Sequence, residues 1–341
     1  WEYLLEVRLH AAAAAPLLLE GRLLFAEQFE LQPAQEANRS AFAARSALVA
    51  ARAAAAAKTF ARSEELGSVE VHEGERLSIS SSHALSGARA HFRAAFNWSA
   101  ATFEQLTLNG RPMLTAAWRP SFWRAPVDND LGWGAPRALK MWRLSSMAEY
   151  QPKNAMRLLR RTAHGACVHT SWRLSAHERH LAEEELDGGK APMPPAANAS
   201  SSRTSAQAAS RFCGKAREGK GGAVACVSCF QAVLPTGVRF ECRYLPGASV
   251  RAGRQGAMPR FGMTARLPAR FDQLKWFGKG PHETYVDRQA AARTAVHEGL
   301  ASEQLHPYMR PQESGNKVGV RWLSLADPSN GDALLVVNSH E

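Results

Sequence analysis

One stretch of the sequence, residues 119–130, combines aromatic rings, guanidinium groups and carboxylates at close spacing. It contains Trp123 and Arg124, two prolines, and the triplet Asp128, Asn129 and Asp130. Because proline restricts its own backbone and the preceding residue, the segment is expected to be extended rather than helical. On a strand, the adjacent rings of Phe122 and Trp123 would face opposite sides. A turn at the triplet would let Arg124 reach Asp128 or Asp130. Two interpretations remain open: a buried corner with an internal ion pair, or a sugar-facing rim.

A second polar cluster lies at residues 280–288 and includes His282, Glu283 and Tyr285. A turn there would expose these three side chains, and Asp287 could pair with Arg288. The cluster could be a loop held by that ion pair, a carbohydrate-contacting loop, or a histidine–glutamate acid/base pair for opening a sugar ring. A third polar turn, at residues 311–313, contains a glutamate that could cap backbone amides.

The elements that would position these residues are predicted to be mostly short strands. Apolar and polar residues alternate at 3–10, 238–244, 261–267 and 318–322, and Asn109-Gly110 is typical of a hairpin turn. Residues 334–337 are predicted to form a fully buried strand, 131–134 a loop and 138–150 a short helix. The fold class is therefore all-β, an antiparallel sandwich.

Composition limits the classes of function. The 341 residues are 45% hydrophobic, which is enough for a sizeable core, and no apolar run is long enough to span a membrane. The net charge of +11 raises nucleic acid as a partner. The arginines are scattered, however, and no nucleic-acid motif is present, so neither nucleic acid nor membrane is an expected partner. Five sparse cysteines argue against a disulfide framework, and Cys226 and Cys229 are interpreted as buried thiols.

Three sequence blocks carry a resemblance to a known family. They are Phe-Trp-Arg-Ala-Pro-Val-Asp-Asn-Asp at 122–130, the motifs at 258–263 and 276–288, and the motif at 307–316 leading into Val320-Arg321-Trp322. In this order they resemble the small C-terminal β-domain of large bacterial β-galactosidases, glycoside hydrolase family 2. The resemblance implies a large antiparallel sandwich like that of hexose mutarotases. Where the family often has asparagine, this sequence has Thr284.

The resemblance also implies a domain organisation. Residues 1–33 would be remnant strands of an immunoglobulin-like sandwich, and 34–65 an alanine- and arginine-rich linker or insertion. Residues 66–341 would be the truncated small-chain domain, with a disordered insertion at about 177–222. The sequence starts without methionine or a basic leader, so we expect a fragment, with a cytoplasmic location favoured.

In the family, both catalytic glutamates lie on a TIM barrel that precedes these domains, and that barrel usually binds Mg and Na. We therefore assign this chain no catalytic residue, no metal ligand and no cofactor. The implied function is an accessory, carbohydrate-binding part of a β-galactosidase that acts on β-galactosides such as lactose. The implied partners are the sugar, the missing barrel and further copies of the subunit. The alternative is a free-standing carbohydrate-binding module or a hexose mutarotase-like protein.

Overall fold

The structure is a computed structural model, and it divides the chain into two compact units. One unit comprises residues 1–43 with 270–341, and the other comprises residues 44–269. The model describes residues 4–10, 22–30, 67–85, 88–147, 156–174, 225–246 and 258–338. The predicted linker at 34–65 and the predicted disordered insertion at 177–222 lie outside the described residues.

The unit of residues 44–269 is built from antiparallel strands. Its strands are β3 (Ser68–Glu73), β4 (Arg76–Leu85), β5 (Ala88–Asn97), β6 (Thr102–Leu108), β7 (Arg111–Pro112), β8 (Ala116–Ser121), β9 (Met156–Thr162), β10 (Gly165–Leu174), β11 (Ala225–Leu234), β12 (Gly237–Pro246) and β13 (Gly262–Arg266). They form a five-stranded sheet in the order β3-β4-β5-β6-β7, a four-stranded sheet in the order β12-β11-β10-β9, and the pair β13-β8. The predicted hairpin turn is confirmed, because Asn109 and Gly110 both have positive φ (51° and 77°) between β6 and β7.

Two of these sheets share one apolar core, which confirms the all-β sandwich. Leu77, Ile79 and Phe96 of the five-stranded sheet pack in the same buried cluster as Val168 and Val233 of the four-stranded sheet. Alternation along each strand places these residues on one face and the polar residues on the other. Whether the sandwich is of the mutarotase type stays a prediction.

A second buried cluster lies under three short helices between β8 and β9. These helices are α1 (Asp128–Gly132), α2 (Ala135–Ala138) and α3 (Lys140–Met147). Phe122 and Trp142 are fully buried in this cluster. The short helix predicted at 138–150 is confirmed by α3. Helix α1 replaces the turn predicted at 128–130 and the first half of the loop predicted at 131–134, so only Trp133 and Gly134 lie in a turn. No described helix is long and apolar enough to cross a membrane.

The unit that includes residues 270–341 contains two small sheets. Its strands are β1 (Leu4–His10), β2 (Leu23–Glu30), β14 (Gln273–Gly280), β15 (Arg293–Leu300), β16 (Trp322–Ala326) and β17 (Ala333–Val337), with a short 3₁₀ helix at Ser302–Gln304. β1 and β2 form a hairpin, and the other four strands form a sheet in the order β15-β14-β16-β17. The Gln28 side chain donates to the Thr294 carbonyl at 3.1 Å and accepts from the Thr294 N–H at 2.7 Å. The hairpin therefore satisfies backbone groups of β15.

Three strand predictions in this unit need correction. β17 is an edge strand rather than a fully buried one, and its Leu335 and Val337 side chains are 59% and 60% exposed. Val7 on β1 is 45% exposed, so the predicted buried face of that strand is wrong there. The predicted strand at 318–322 begins only at Trp322. Whether the hairpin is a remnant of an immunoglobulin-like domain stays a prediction.

The cysteine interpretation is wrong for Cys229. This residue lies directly opposite Cys242 in the pairing of β11 with β12, and the two sulfurs form a disulfide. Spacing along the chain did not reveal the pair, because the disulfide depends on the register of two neighbouring strands. The free thiol of Cys167 is buried, and burial raises its pKa to about 11.

Candidate functional site

The first candidate cluster is the corner that follows β8. This strand pairs with β13, and the chain then runs through two prolines before α1 begins at Asp128. Asp130, in the first turn of α1, accepts a hydrogen bond from the backbone N–H of Val127 at 2.9 Å. A carboxylate in this position satisfies a backbone donor and interacts favourably with the helix dipole, which explains why the acid-amide-acid triplet is helical.

Arg124 and Asp130 form the internal ion pair of the corner. The Arg124 Nη1 donates to Asp130 Oδ2 at 2.5 Å and the Nη2 donates to Oδ1 at 3.3 Å, a two-pronged arrangement. The Asp130 side chain is 14% exposed and that of Arg124 is 26% exposed. Burial raises the pKa of Asp130, but the bonds from Arg124 and Val127 outweigh it, so the net pKa lies below its ordinary value.

The other corner residues named in the sequence analysis, the two rings and the rest of the acid-amide-acid triplet, do not all lie where the sequence predicted. Phe122 is fully buried, whereas Trp123 is half-buried against the same cluster rather than facing the opposite side. Both lie beyond the end of β8, so strand alternation does not apply to them. Asp128 and Asn129 are exposed on α1. The structure thus brings Arg124 together with Asp130 and leaves the other two polar side chains of the triplet at the surface.

An exposed aromatic ring beside this corner was not expected from the sequence. Trp133 follows α1 directly and is 58% exposed. Gly134, the next residue, has a φ of +76°, which reverses the chain before α2. The available signal was a tryptophan flanked by two glycines, because glycines provide no side chains to cover a neighbouring ring.

The second candidate cluster is centred on Glu283, in the loop that follows β14. Tyr308 donates a short hydrogen bond to Oε1 of Glu283, and the Gly315 N–H donates to Oε2 at 2.9 Å. Gly315 has a φ of +76°, and a Cβ there would lie 2.5 Å from the Gln304 carbonyl oxygen, so the position requires glycine. Three loop segments therefore converge on one carboxylate.

Arg288 completes this cluster. Its Nη1 donates to the Tyr308 hydroxyl at 3.0 Å and lies 3.6 Å from Oε1 of Glu283. Its guanidinium also lies over the Tyr285 ring, 4.6 Å from the centroid. The predicted pairing with Asp287 is therefore replaced by one with Glu283, because the tight turn at 285–288 returns Arg288 towards Glu283.

Electrostatics keep Glu283 ionised. Burial raises its pKa, but hydrogen bonds from Tyr308 and Gly315, together with the charge of Arg288, lower the net pKa below its ordinary value. Burial and the nearby Glu283 charge raise the pKa of Tyr285. His282 is exposed, and no hydrogen bond between His282 and Glu283 occurs within residues 258–338. A carboxylate with both oxygens engaged and a lowered pKa is poorly suited to general acid/base work.

Thr284 has a structural role that the sequence did not reveal. It is fully buried, and its hydroxyl accepts from the Val318 N–H at 2.9 Å. Its backbone N–H donates to the Asn316 carbonyl at 2.7 Å, and its carbonyl accepts from the Asn316 side-chain amide at 2.8 Å. These three bonds join the loop at 281–288 to the segment at 316–318. The polar turn at 311–313 was noticed in the sequence, but the contributions of Tyr308 and Gly315 were not.

A metal centre is not formed by the part of the chain that the structure describes, since no group of three or more histidine, cysteine, aspartate or glutamate side chains there could hold an ion. The two clusters instead consist of carboxylates bonded to guanidinium, phenol and backbone donors. Chemically, each arrangement holds a loop in place and presents rings and polar side chains beside it.

Comparisons with known proteins identify the family. The family model described as beta galactosidase small chain matches residues 88–339. A beta-galactosidase of Priestia megaterium is 27% identical over 237 residues, which is 70% of this chain and 18% of the relative. A beta-galactosidase of Halalkalibacterium halodurans is 38% identical over 84 residues, 25% of this chain and 8% of the relative. The matched region is thus less than a fifth of either relative. The chain belongs to the beta galactosidase small chain family.

Proposed function

We propose that this chain is the non-catalytic β-domain of a larger, retaining β-galactosidase of glycoside hydrolase family 2. The observation that carries the proposal is the family match over residues 88–339, which includes both polar clusters. The enzyme would remove terminal β-D-galactose from β-galactosides such as lactose. Its catalytic barrel and further copies of the subunit would be the partners of this domain.

The catalytic carboxylates are expected elsewhere in that larger protein. A retaining glycosidase needs two carboxyl groups about 5–5.5 Å apart, one acting as a nucleophile and one as an acid/base. Asp130 and Glu283, the carboxylates held in the two clusters, accept hydrogen bonds from arginine, phenol and backbone partners. Because those bonds stabilise the ionised form, neither residue suits the acid/base role, which requires a carboxyl group that carries a proton.

The role proposed for the corner is to present an aromatic surface to the sugar. The guanidinium of Arg124 and the carboxylate of Asp130 bind one another, so they hold the corner rather than bind a ligand. Trp133 offers 58% of its surface to solvent, and its indole has both a large apolar face and a polar N–H. Galactose also has an apolar C–H face, so we propose that Trp133 stacks on it, with the half-buried Trp123 as a second candidate.

The loop around Glu283 is the second proposed carbohydrate contact. Arg288 and Tyr308 hold Glu283, and this arrangement leaves His282 exposed at the start of the loop. The Tyr285 ring is fixed beneath the Arg288 guanidinium. The exposed His282 imidazole could accept and donate hydrogen bonds to sugar hydroxyls.

An activity assay tests the placement of the catalytic groups. The purified 341-residue chain should release no product from a chromogenic β-galactoside, because the proposal places both catalytic carboxylates on the barrel. The control is the same chain incubated after immunodepletion of any host galactosidase. Turnover that remains after depletion and scales with the amount of this chain would contradict the proposal.

A substitution in the intact enzyme tests the sugar contact. Trp133→Ala should raise KM for the galactoside about ten-fold or more, since a stacked ring is lost, while Leu131→Ala should leave KM unchanged. Leu131 is the matched control, because it lies on α1 and is 47% exposed. Equal KM values for the two variants would exclude Trp133 from sugar binding.

A further inference from the structure

A polar cleft on the five-stranded sheet has no part in either cluster described above. It measures about 580 Å³ and is lined by residues of β3, β4 and β5. Val71, Leu77 and Ile79 of these strands are buried in the sandwich core. Because side chains alternate along a strand, the intervening residues Ser78 and Ser80 lie on the opposite face, where they line the cleft. We call this space the outer-face cleft.

Small hydroxyl side chains in the outer-face cleft lie beside an arginine. Arg93 on β5 is paired in register with Ser80 on β4. Its Nε donates to the Ser78 hydroxyl oxygen at 2.8 Å, so the guanidinium lies across the serines. Ser78 is buried and holds the guanidinium in place, whereas the half-buried Ser80 is the hydroxyl that a ligand could reach. Serine hydroxyls and a guanidinium thus converge as hydrogen-bond donors.

Arg93 forms no ion pair with a carboxylate among the described residues, although Glu73 and Glu75 line the same cleft. Arg76, by contrast, also lines the cleft but forms an ion pair with Glu104 at 3.0 Å. His91 lies beside Arg93, and its Nδ1 donates to the Ser81 carbonyl at 2.9 Å. That bond fixes the orientation of the ring.

We propose that the outer-face cleft binds a single phosphate- or sulfate-type oxyanion. A guanidinium presents several N–H donors in a fixed fork that matches the oxygens of such groups, and the serine hydroxyls add neutral donors. Glu73 and Glu75 also line the cleft, on the turn between β3 and β4. Because their negative charges repel every anion, binding has to come from direct hydrogen bonds of Arg93 and the serines to one compact oxyanion rather than from net positive charge. This binding goes beyond the proposed function and does not depend on it.

Isothermal titration of the full chain with sodium phosphate and sodium sulfate, at constant ionic strength, tests the inference. Arg93→Ala should weaken phosphate binding by about ten- to a hundred-fold, since hydrogen bonds to charged groups are lost. Arg93→Lys should fall between wild type and Arg93→Ala, because it keeps the charge and loses the fork. Arg137→Ala is the matched control, as it removes an exposed arginine from α2.

Three results would overturn the inference, provided that circular dichroism shows the variants to be folded. One is phosphate affinity that is unchanged in both Arg93 variants. Another is the absence of phosphate or sulfate binding to the folded wild-type chain. A third is Arg93-dependent binding of free galactose without phosphate binding, which would assign the outer-face cleft to neutral sugars. None of these measurements depends on whether the chain takes part in galactoside hydrolysis.

Discussion

Substituting Asp130 should destabilise the corner in two separable ways. Its carboxylate accepts two bonds from Arg124 and one from the Val127 N–H. Asp130→Ala removes both acceptor oxygens and so all three hydrogen bonds, whereas Asp130→Asn keeps a carbonyl oxygen for Val127 and loses the charge. Arg124→Gln removes the cation while keeping a polar side chain. These variants form a double-mutant cycle on one ion pair.

The magnitude follows from the partial burial of the pair. Exposed ion pairs contribute about 0.2–1 kcal/mol, while hydrogen bonds to charged groups contribute about 1.5–3 kcal/mol. With side chains 14% and 26% exposed, the Arg124–Asp130 pair lies between these cases. We expect a coupling free energy of about 1–2 kcal/mol. Losing the Val127 acceptor adds about 1 kcal/mol, so Asp130→Ala should cost about 2–3 kcal/mol and Asp130→Asn about 1–2 kcal/mol.

Urea denaturation followed by tryptophan fluorescence measures these free energies of unfolding. The pH dependence supplies a second readout, because the pKa of Asp130 is lowered in the folded chain. The stabilisation is present above the unfolded pKa of about 3.9 and is lost as pH falls through the lower folded pKa. A coupling free energy below about 0.3 kcal/mol would refute the interpretation of this pair as the clamp of the corner. Equal losses for alanine and asparagine would refute the role assigned to the Val127 bond.

Four further substitutions test the packing and the electrostatics. Phe122→Ala should lower the free energy of unfolding by about 3–5 kcal/mol, because the ring is fully buried. Trp123→Ala should lower it clearly less, because that ring is only half-buried. Thermal melts compare the two variants. Tyr308→Phe should cost about 1–2 kcal/mol and raise the pKa of Glu283, so that stability is lost at a higher pH during acid titration. Burial and the charge of Arg157 lower the pKa of His169 to about 4, so stability should fall by up to about 3 kcal/mol between about pH 6.5 and 4. In His169→Gln this contribution to the pH dependence of the free energy of unfolding should be absent. Chemical denaturation at several pH values measures it.

The parts of the fold that depend on local chemistry could be predicted from the sequence. Asn109-Gly110 predicts its hairpin because both residues tolerate positive φ. The alternation at 238–244 predicts β12 because every second residue faces the core. By contrast, the Cys229–Cys242 disulfide depends on strand register, and the exposure of Leu335 depends on which strands lie beside β17.

The candidate sites were predictable to a similar extent. The pairing of Arg124 with Asp130 could be anticipated, because the two residues are close in sequence and a turn or helix brings them together. The partners of Glu283 could not be anticipated, because Tyr308 and Gly315 lie 25 and 32 residues away from it along the chain. Long-range contacts of this kind leave no periodicity in the sequence.

The geometry of both clusters changes which residues should be tested for ligand binding. Charged residues attract attention in a sequence, yet Arg124, Asp130, Glu283 and Arg288 largely bind one another. A charge already paired inside the protein gains little from a neutral sugar, because the ligand would have to compete with an existing charged hydrogen bond. The neighbouring side chains that remain accessible, such as the Trp133 ring, have no such competitor. Losses of stability should therefore follow substitution of the charged residues, and losses of sugar affinity should follow substitution of the rings.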